Sequence, residues 1–463
     1  MTNSVGALHI PLAFDHLDLK AFRRLDAVTV GVFDCPHSTP KLTDVGPLVV
    51  RTQDIMTGVL RIDEAARVSE ETYRERVAKA EPTFGDLLYS REGTYFGIAA
   101  EVPQDVRVCL GQRMVLIRPD PKQIDRRYLK YWLNSPQIAA HIHGFRDGSV
   151  AERLNLPTIR AMPVFVRPLP EQRAIADLLG SLDDKIEQNR RTVQALEELA
   201  RVTFKAWFVD FDPVKAKASR ATSFPGMSPA TFAALPDRLT DSPIGPVPKG
   251  WEVRTLEEVA ESVRGLSYKG AGLVQSNTED QAGSLPLHNL NSVYEGGGYK
   301  NEGLKLYRGE FKDRHMIYPG DLIVANTEQG HEYRLIGFAA IVPQRYGERG
   351  LFSHHLFRVR PLPTSPLGVQ FLYFAIMSTR IRDEIVSYTN GTTVNTLSID
   401  GLKRPHLCVP SAEVAAEFET RAWEMYELAE SLFDESSKLA TLRDYLLPQL
   451  MSGRVQVRSL RQE

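Results

Sequence analysis

The chain has 463 residues, 43% hydrophobic and 25% charged, an ordinary globular composition with length for two or more separately cored domains. Its 56 Lys and Arg against 58 Asp and Glu leave a formal charge of −2, so no domain-wide basic footprint is visible and any DNA affinity must come from local patches or a partner subunit. No apolar run approaches the roughly 18 residues of a membrane span, the N-terminus lacks the regions of a signal peptide, and Cys35, Cys109 and Cys408 are scattered, so a reduced cytoplasmic setting without disulfides, zinc or membrane contact is expected.

Residues 1–168 read as an α+β globule. Short β-rich runs such as Val115 to Pro119 are separated by Gly, Pro and Asn, and a short helix of the Tyr128 to His143 kind follows. The expected sheet is twisted and mainly antiparallel.

Residues 169–213 predict one long helix. Ile175, Leu179, Leu182, Ile186, Asn189, Val193, Leu196, Ala200, Thr203 and Trp207 step by four and three, which lays a narrow seam along one face and calls for a partner helix. Pro170 suits the first turn, and Pro213 is expected to end the run. Gly180 and Asn189 depart from the pattern, the Asn in the manner of a register-fixing seam residue. Residues 214–248, rich in Pro, Ser, Thr, Ala and Gly, have the composition of a linker.

Residues 249–410 read as a second globule, and residues 411–463 as a second long helix and tail. The second seam is expected at Val414, Phe418, Arg421, Met425, Leu428, Leu432, Glu435, Leu439, Leu442 and Leu446, with Arg421 and Glu435 interrupting it as Asn189 interrupts the first.

The second half repeats the first. Gly85-Asp86-Leu87-Leu88 returns as Gly320-Asp321-Leu322-Ile323, Gly97 to Pro103 as Gly337 to Pro343, Met114 to Pro119 as Leu356 to Pro361, and Tyr128 to Ser135 as Phe371 to Ser378. Two tandem copies related by an approximate dyad would pair their helices antiparallel, with the globules at opposite ends of a rod.

Motifs for chemistry are missing. There is no Walker A sequence, no G-x-G-x-x-G after a strand and no methyltransferase motif. Pro119 to Lys122 lacks the acidic-x-Lys of a nuclease fragment. His141 and His143 at i, i+2 point to different helix faces, and Cys35 with His37 gains no third ligand, so no catalytic or metal site is expected.

Recurring polar loops are the candidate binding residues. In the first copy they offer Ser90, Arg91, Thr94, Arg146, Ser149 and Arg153, and Arg51 earlier in the chain joins them as a candidate. In the second they offer Asn326, Thr327, Gln329, Arg334, Thr392, Thr393 and Asn395. Such side chains read base edges or grip phosphates, and the interleaved Gly permits close approach.

These features resemble the specificity subunit of a type I restriction-modification enzyme. The likeness spans essentially the whole chain and rests on Leu169 to Arg191, Phe204 to Pro213, Val247 to Glu252 and Leu442 to Gly453, with Asp34 to Lys41 and Gly85 to Gly97 resembling recognition-domain segments. It implies two target recognition domains joined by two long helices in an antiparallel coiled coil with pseudo-twofold symmetry. Each domain would bind half of an interrupted site in double-stranded DNA, and the helices would set the gap. It further implies recruitment of two methyltransferase subunits and, in the restriction form, of motor-nuclease subunits. S-adenosylmethionine, ATP and Mg²⁺ would belong to those partners, with no cofactor in this chain. Trp207, Phe208, Asp210, Phe211, Leu446, Leu447 and Leu450 are the expected partner-docking residues. The alternatives are an adaptor that joins proteins without reading DNA and a self-contained enzyme with an unrecognised site.

Overall fold

A computed structural model describes residues 2–5, 8–11, 17–56, 58–63, 65–93, 95–143, 154–274, 282–330, 332–391 and 394–457. The chain divides into two compact units, Met1–Asn189 with Asp434–Glu463, and Arg190–Phe433. Both boundaries fall inside long helices, Leu169–Phe204 and Ala412–Met451, so each helix gives one half to each unit. Among the described residues no helix is long and apolar enough to cross a membrane.

In the first unit a four-stranded sheet runs in the order Ala99–Glu101, Leu87–Ser90, Met114–Pro119, Thr29–Asp34, with every pairing antiparallel. Beside it lies a three-stranded sheet in which Val108–Leu110 is parallel to Leu42–Val50. The central strands Leu87–Ser90 and Met114–Pro119 are buried almost throughout, as their apolar runs require. The helix Arg126–Leu133 covers the sheet, capped by Asp125, whose carboxylate accepts the amides of Arg127 and Tyr128. Its Trp132 donates to the Pro163 carbonyl at 2.7 Å and stacks with Phe165.

The long helix docks on this core through Ile175 and Leu179 and through Gln172, which is fully buried. The Gln172 side chain accepts the Asp125 amide at 2.7 Å and donates to the Gln123 and Arg167 carbonyls. Gly180 faces Arg127, whose guanidinium tip lies 2.9 Å from where a Cβ would stand. The last turns of the second helix complete the same core with Leu447, Leu450 and Met451. Within this unit the two helix halves run antiparallel: Asp183 meets Arg443 at 2.8 Å, while Lys185 meets Glu435 at 3.3 Å further along. Lys130 and Tyr131 also reach Asp183. Burial opposes its ionisation, yet Lys130 and Arg443 hold its carboxyl below the ordinary range.

The second unit repeats the plan. Its four-stranded antiparallel sheet has the order Ala339–Ile341, Leu322–Ala325, Leu356–Pro361, Ala260–Arg264, strand for strand the order of the first unit's sheet. Leu285–His288 runs parallel to Gly350–Phe352, matching the parallel pair of the first unit, here inside five strands. The helix Val369–Met377 covers the sheet. Glu419 of the long helix accepts the Gln370 and Phe371 amides at 3.0 Å, a docking contact like that of Gln172.

Two expectations change. Residues 214–248, expected as a linker, contain helices at Asp212–Ala218 and Pro229–Ala234 and bury Met227, Phe232, Leu235 and Val247 in the unit's core. The prolines start elements here: Pro213 and Pro229 stand in first helical turns, where a missing N–H is harmless. Pro213 therefore opens a helix; the long one ends before it in a π-helical turn, Lys205–Val209, with Phe211 at φ 56°. The second seam holds only in part. Val414 and Phe418 are buried as expected and Glu435 meets Asn189, whereas Leu428 and Leu442 are exposed and Ala415, Ala422 and Ala429 are buried beside the stripe. Small Ala side chains allow close approach of the packed surface.

Candidate nucleic-acid interface

The clearest recurring geometry lies at one end of each four-stranded sheet. In the first unit the strand ending at Ser90 continues into Arg91, whose amide donates to the Arg113 carbonyl at 3.0 Å and whose carbonyl accepts the Leu154 amide at 2.9 Å. In the second unit the Asn326 amide donates to the His355 carbonyl at 3.0 Å, and its carbonyl accepts the Leu397 amide at 2.8 Å. The pairing Val115↔Asp34 in one sheet and Phe357↔Arg264 in the other brings a third strand to the same end. Thus the loops that recur in the sequence meet at equivalent points of two equivalent scaffolds. One triplet is Asp34, Arg91 and Arg113; its counterpart is Arg264, Asn326 and His355.

Both ends hang on the same internal brace. Arg118 forms a two-pronged ion pair with Asp86 at 2.9 and 2.7 Å, and Arg360 one with Asp321 at 2.5 Å for each contact. Gly85 and Gly320, each just before its Asp, have φ of 88° and 86°, a conformation open to Gly.

The side chains at the two ends differ. In the first unit Arg91 pairs with Asp34 at 3.2 Å and is 15% exposed, and Arg113 pairs with Glu92. Arg51 is tied to Asp54, which also accepts the Arg51 amide and closes a 3-10 turn. Ser90 is fully buried, and its hydroxyl has no partner among the described residues.

In the second unit Asn326, Thr327 and Asn395 are buried and support the main chain. Asn326 donates to the His354 carbonyl at 3.1 Å, Thr327 to the Asn326 side chain at 2.8 Å, and Asn395 to the Gly330 carbonyl. The strand Thr327–Gln329 pairs with Val394–Leu397, so this loop is in part a sheet. Gln329 and Arg334 are exposed, Arg334 beside Glu332 at 2.6 Å. Thr94, Arg146, Ser149, Arg153, Thr392 and Thr393 lie outside the described residues.

Groups without a signal in the sequence line the second unit's sheet end. Arg264 is exposed and donates to the His354 carbonyl at 3.2 Å; the His354 and His355 rings lie 3.9 Å apart; Tyr268 and Lys305 meet at 3.3 Å. Burial first, then His354, Arg264 and Lys305, holds the His355 imidazole below the ordinary histidine range. A neutral ring keeps both a donor and an acceptor, the pair a base edge needs.

The expected partner-docking residues are mostly internal. Trp207, Phe208 and Phe211 belong to the second unit's aromatic core, where Phe204, Phe208, Phe371 and Phe418 pack edge to face. Leu447 and Leu450 are buried in the first unit, with Leu446 against them, and Asp210 is engaged by Lys205. The large apolar residues that do face outward on the long helices are Leu178, Leu442 and Tyr445 in the first unit and Leu199, Val202, Leu428 and Phe433 in the second. Among the described residues there is no group of three or more His, Cys, Asp and Glu that could hold a metal ion.

A family model described as the type I restriction modification DNA specificity domain matches residues 68–198. That match runs through the Asp86–Arg118 brace, the Arg91 turn and most of the first long helix. Over 423 residues the chain is 22% identical to the type I restriction enzyme HindI specificity subunit of Haemophilus influenzae, covering 80% of this chain and 86% of that protein. Over 339 residues it is 23% identical to the MjaIX specificity subunit of Methanocaldococcus jannaschii, covering 72% and 70%. The fold is similar to that of a type I restriction-modification S subunit from M. genitalium, with a TM-score of 0.53 at 16% identity over 94% of this chain and 97% of that one.

Proposed function

We propose that this chain is the DNA sequence-recognition subunit of a type I restriction-modification complex, each unit reading one half of an interrupted site. One observation carries the reading: an equivalent main-chain framework is built twice and carries different residues at the same sheet end, Asp34 and Arg113 against Arg264 and His355. A repeated scaffold with exchanged end groups is what two unlike half-sites require, since base contacts discriminate by about 1–3 kcal/mol each.

The two long helices act as the ruler between half-sites, and the outward apolar residues Leu178, Leu442, Tyr445, Leu199, Val202 and Leu428 supply the surface that recruits methyltransferase subunits. In this reading the chain itself performs no catalysis. S-adenosylmethionine, ATP and Mg²⁺ act on partner subunits, including motor-nuclease subunits where these are present.

The test is to express the chain with its methyltransferase partner and sequence the resulting methylome. A two-part motif with an unspecified gap is expected. Insertion of one heptad into both long helices should change the gap and leave the half-sites as they were; methylation without any sequence preference would reject the reading.

A further inference from the structure

We infer that the two units divide DNA binding unequally, the sheet end of the second unit gripping the phosphate backbone through Arg264 and Lys305 while the equivalent end of the first unit keeps its cations paired with carboxylates of its own. This rests on the DNA-recognition function proposed above. The strand registers make the comparison position by position. Arg264 stands where the first unit has Asp34. Lys305, opposite Leu287 in the parallel-paired sheet, stands where the first unit has Ala66, opposite Val49. His354 and His355, directly before the strand Leu356–Pro361, stand where Gln112 and Arg113 precede Met114–Pro119.

The exchange alters the charge balance. In the first unit Asp34 faces both Arg91 at 3.2 Å and His37 at 3.4 Å, and Glu92 faces Arg113 at 3.2 Å. A phosphate must compete with a carboxylate already in place for each of these arginines. In the second unit Arg264, Lys305, His354 and His355 form no ion pair with a carboxylate among the described residues. Lys305 instead rests against Tyr268, 5.7 Å from its ring centre, and Tyr268 leans on His354. Burial first, then His354, Arg264 and Lys305, holds the His355 imidazole below the ordinary histidine range, in keeping with that arrangement. Cations without carboxylates release condensed counterions when they meet phosphate, and the yield shows as salt dependence, a log–log slope of about −0.9 per phosphate neutralised.

The experiment uses the assembled complex of full-length chain and methyltransferase partner, with a duplex carrying the methylated motif, and reads dissociation constants across a salt series. The double variant R264A/K305A should make the slope shallower by about two, one for each lost phosphate contact, and K305Q alone by about one. R113A should change it by less than half. Equal or greater loss in R113A, or an unchanged slope in both second-unit variants, would overturn the inference. Partner binding and the thermal transition of each variant are followed in parallel, and K305Q is the milder substitution should the double variant fold poorly. Failure of the wild-type complex to prefer its motif would instead reject the recognition function itself.

Discussion

The Asn189 side-chain amide donates to Glu435 Oε2 at 2.7 Å, and also reaches the Ser436 hydroxyl at 3.2 Å, so the polar break in one long helix meets the polar break in the other. Asn189 is 2% exposed, in a stripe where a Leu or Val would be expected. A buried polar residue at a seam fixes register because any slip leaves it unpaired.

The same pair yields a pH prediction. The Asn189 hydrogen bond, helped by Lys185, holds the Glu435 carboxyl below the ordinary range. A depressed carboxyl contributes stability that is present above the unfolded-chain value and lost as pH falls through the folded one. Asn189→Ala should therefore lower the urea midpoint at pH 7 and flatten the acid side of the stability profile below about pH 4.3. A midpoint unchanged at pH 7 would show the pair to be dispensable.

His288 gives a second pH window. It is 2% exposed, bonds Tyr299 through Nδ1 at 2.7 Å, and burial pushes its pKa down to about 4. Between that value and the unfolded-chain value of about 6.5 the unfolded chain binds the proton and the native one does not, so stability falls as pH drops across this window. The loss amounts to about 3 kcal/mol at most at the acid end. Denaturation of His288→Gln at pH 7, 6, 5 and 4 should show a visibly flatter profile than the parent.

The twin braces make a local prediction. Asp86 is almost fully enclosed and anchors Arg118 along with the Thr83 amide and hydroxyl. Asp86→Ala strands that arginine and should cost about 2–3 kcal/mol. Asp321→Ala should do the same to Arg360. Hydrogen exchange should show loss of protection in the strands Leu87–Ser90 and Met114–Pro119 for the first variant, and in Leu322–Ala325 and Leu356–Pro361 for the second.

Two glycines should respond in opposite ways. At Gly180 an added Cβ meets only the tip of flexible Arg127, so Gly180→Ala should be neutral or stabilising by up to about 1 kcal/mol through helix propensity. At Gly265 a Cβ would stand 2.2 Å from the Ser353 carbonyl oxygen and 2.5 Å from that of Phe352. Gly265→Ala should destabilise by about 1–3 kcal/mol. Thermal melts of the two variants check both signs.

Much of the architecture was legible before any coordinates. The repeat places Leu87–Ser90 with Leu322–Ala325 and Met114–Pro119 with Leu356–Pro361, and these pairs occupy the same places in their sheets. The long helices were legible because four-three spacing is a property of consecutive residues, and the Asn189 and Glu435 interruptions because a polar residue in an apolar stripe breaks a local pattern. The second seam is legible at Val414, Phe418 and Glu435 but its width is not, because Ala415, Ala422 and Ala429 are too weakly apolar to mark a stripe beside Leu428 and Leu442.

The sequence by itself determined the twofold plan, since covalent order and period fix which segments are equivalent. Only tertiary structure decided what each polar or aromatic side chain does there. Asn326 and Asn395 have the chemistry of base readers, yet packing turns them inward onto carbonyls, and Trp207 and Phe208 have the look of a docking surface, yet they close a core. Arg264 and Lys305 are 41 residues apart and His355 stands 50 residues beyond Lys305. Pairing in the four-stranded sheet sets Arg264 beside His355, and Tyr268 links Lys305 of the neighbouring sheet to His354; such registers between distant segments are not written in the neighbours of any one residue.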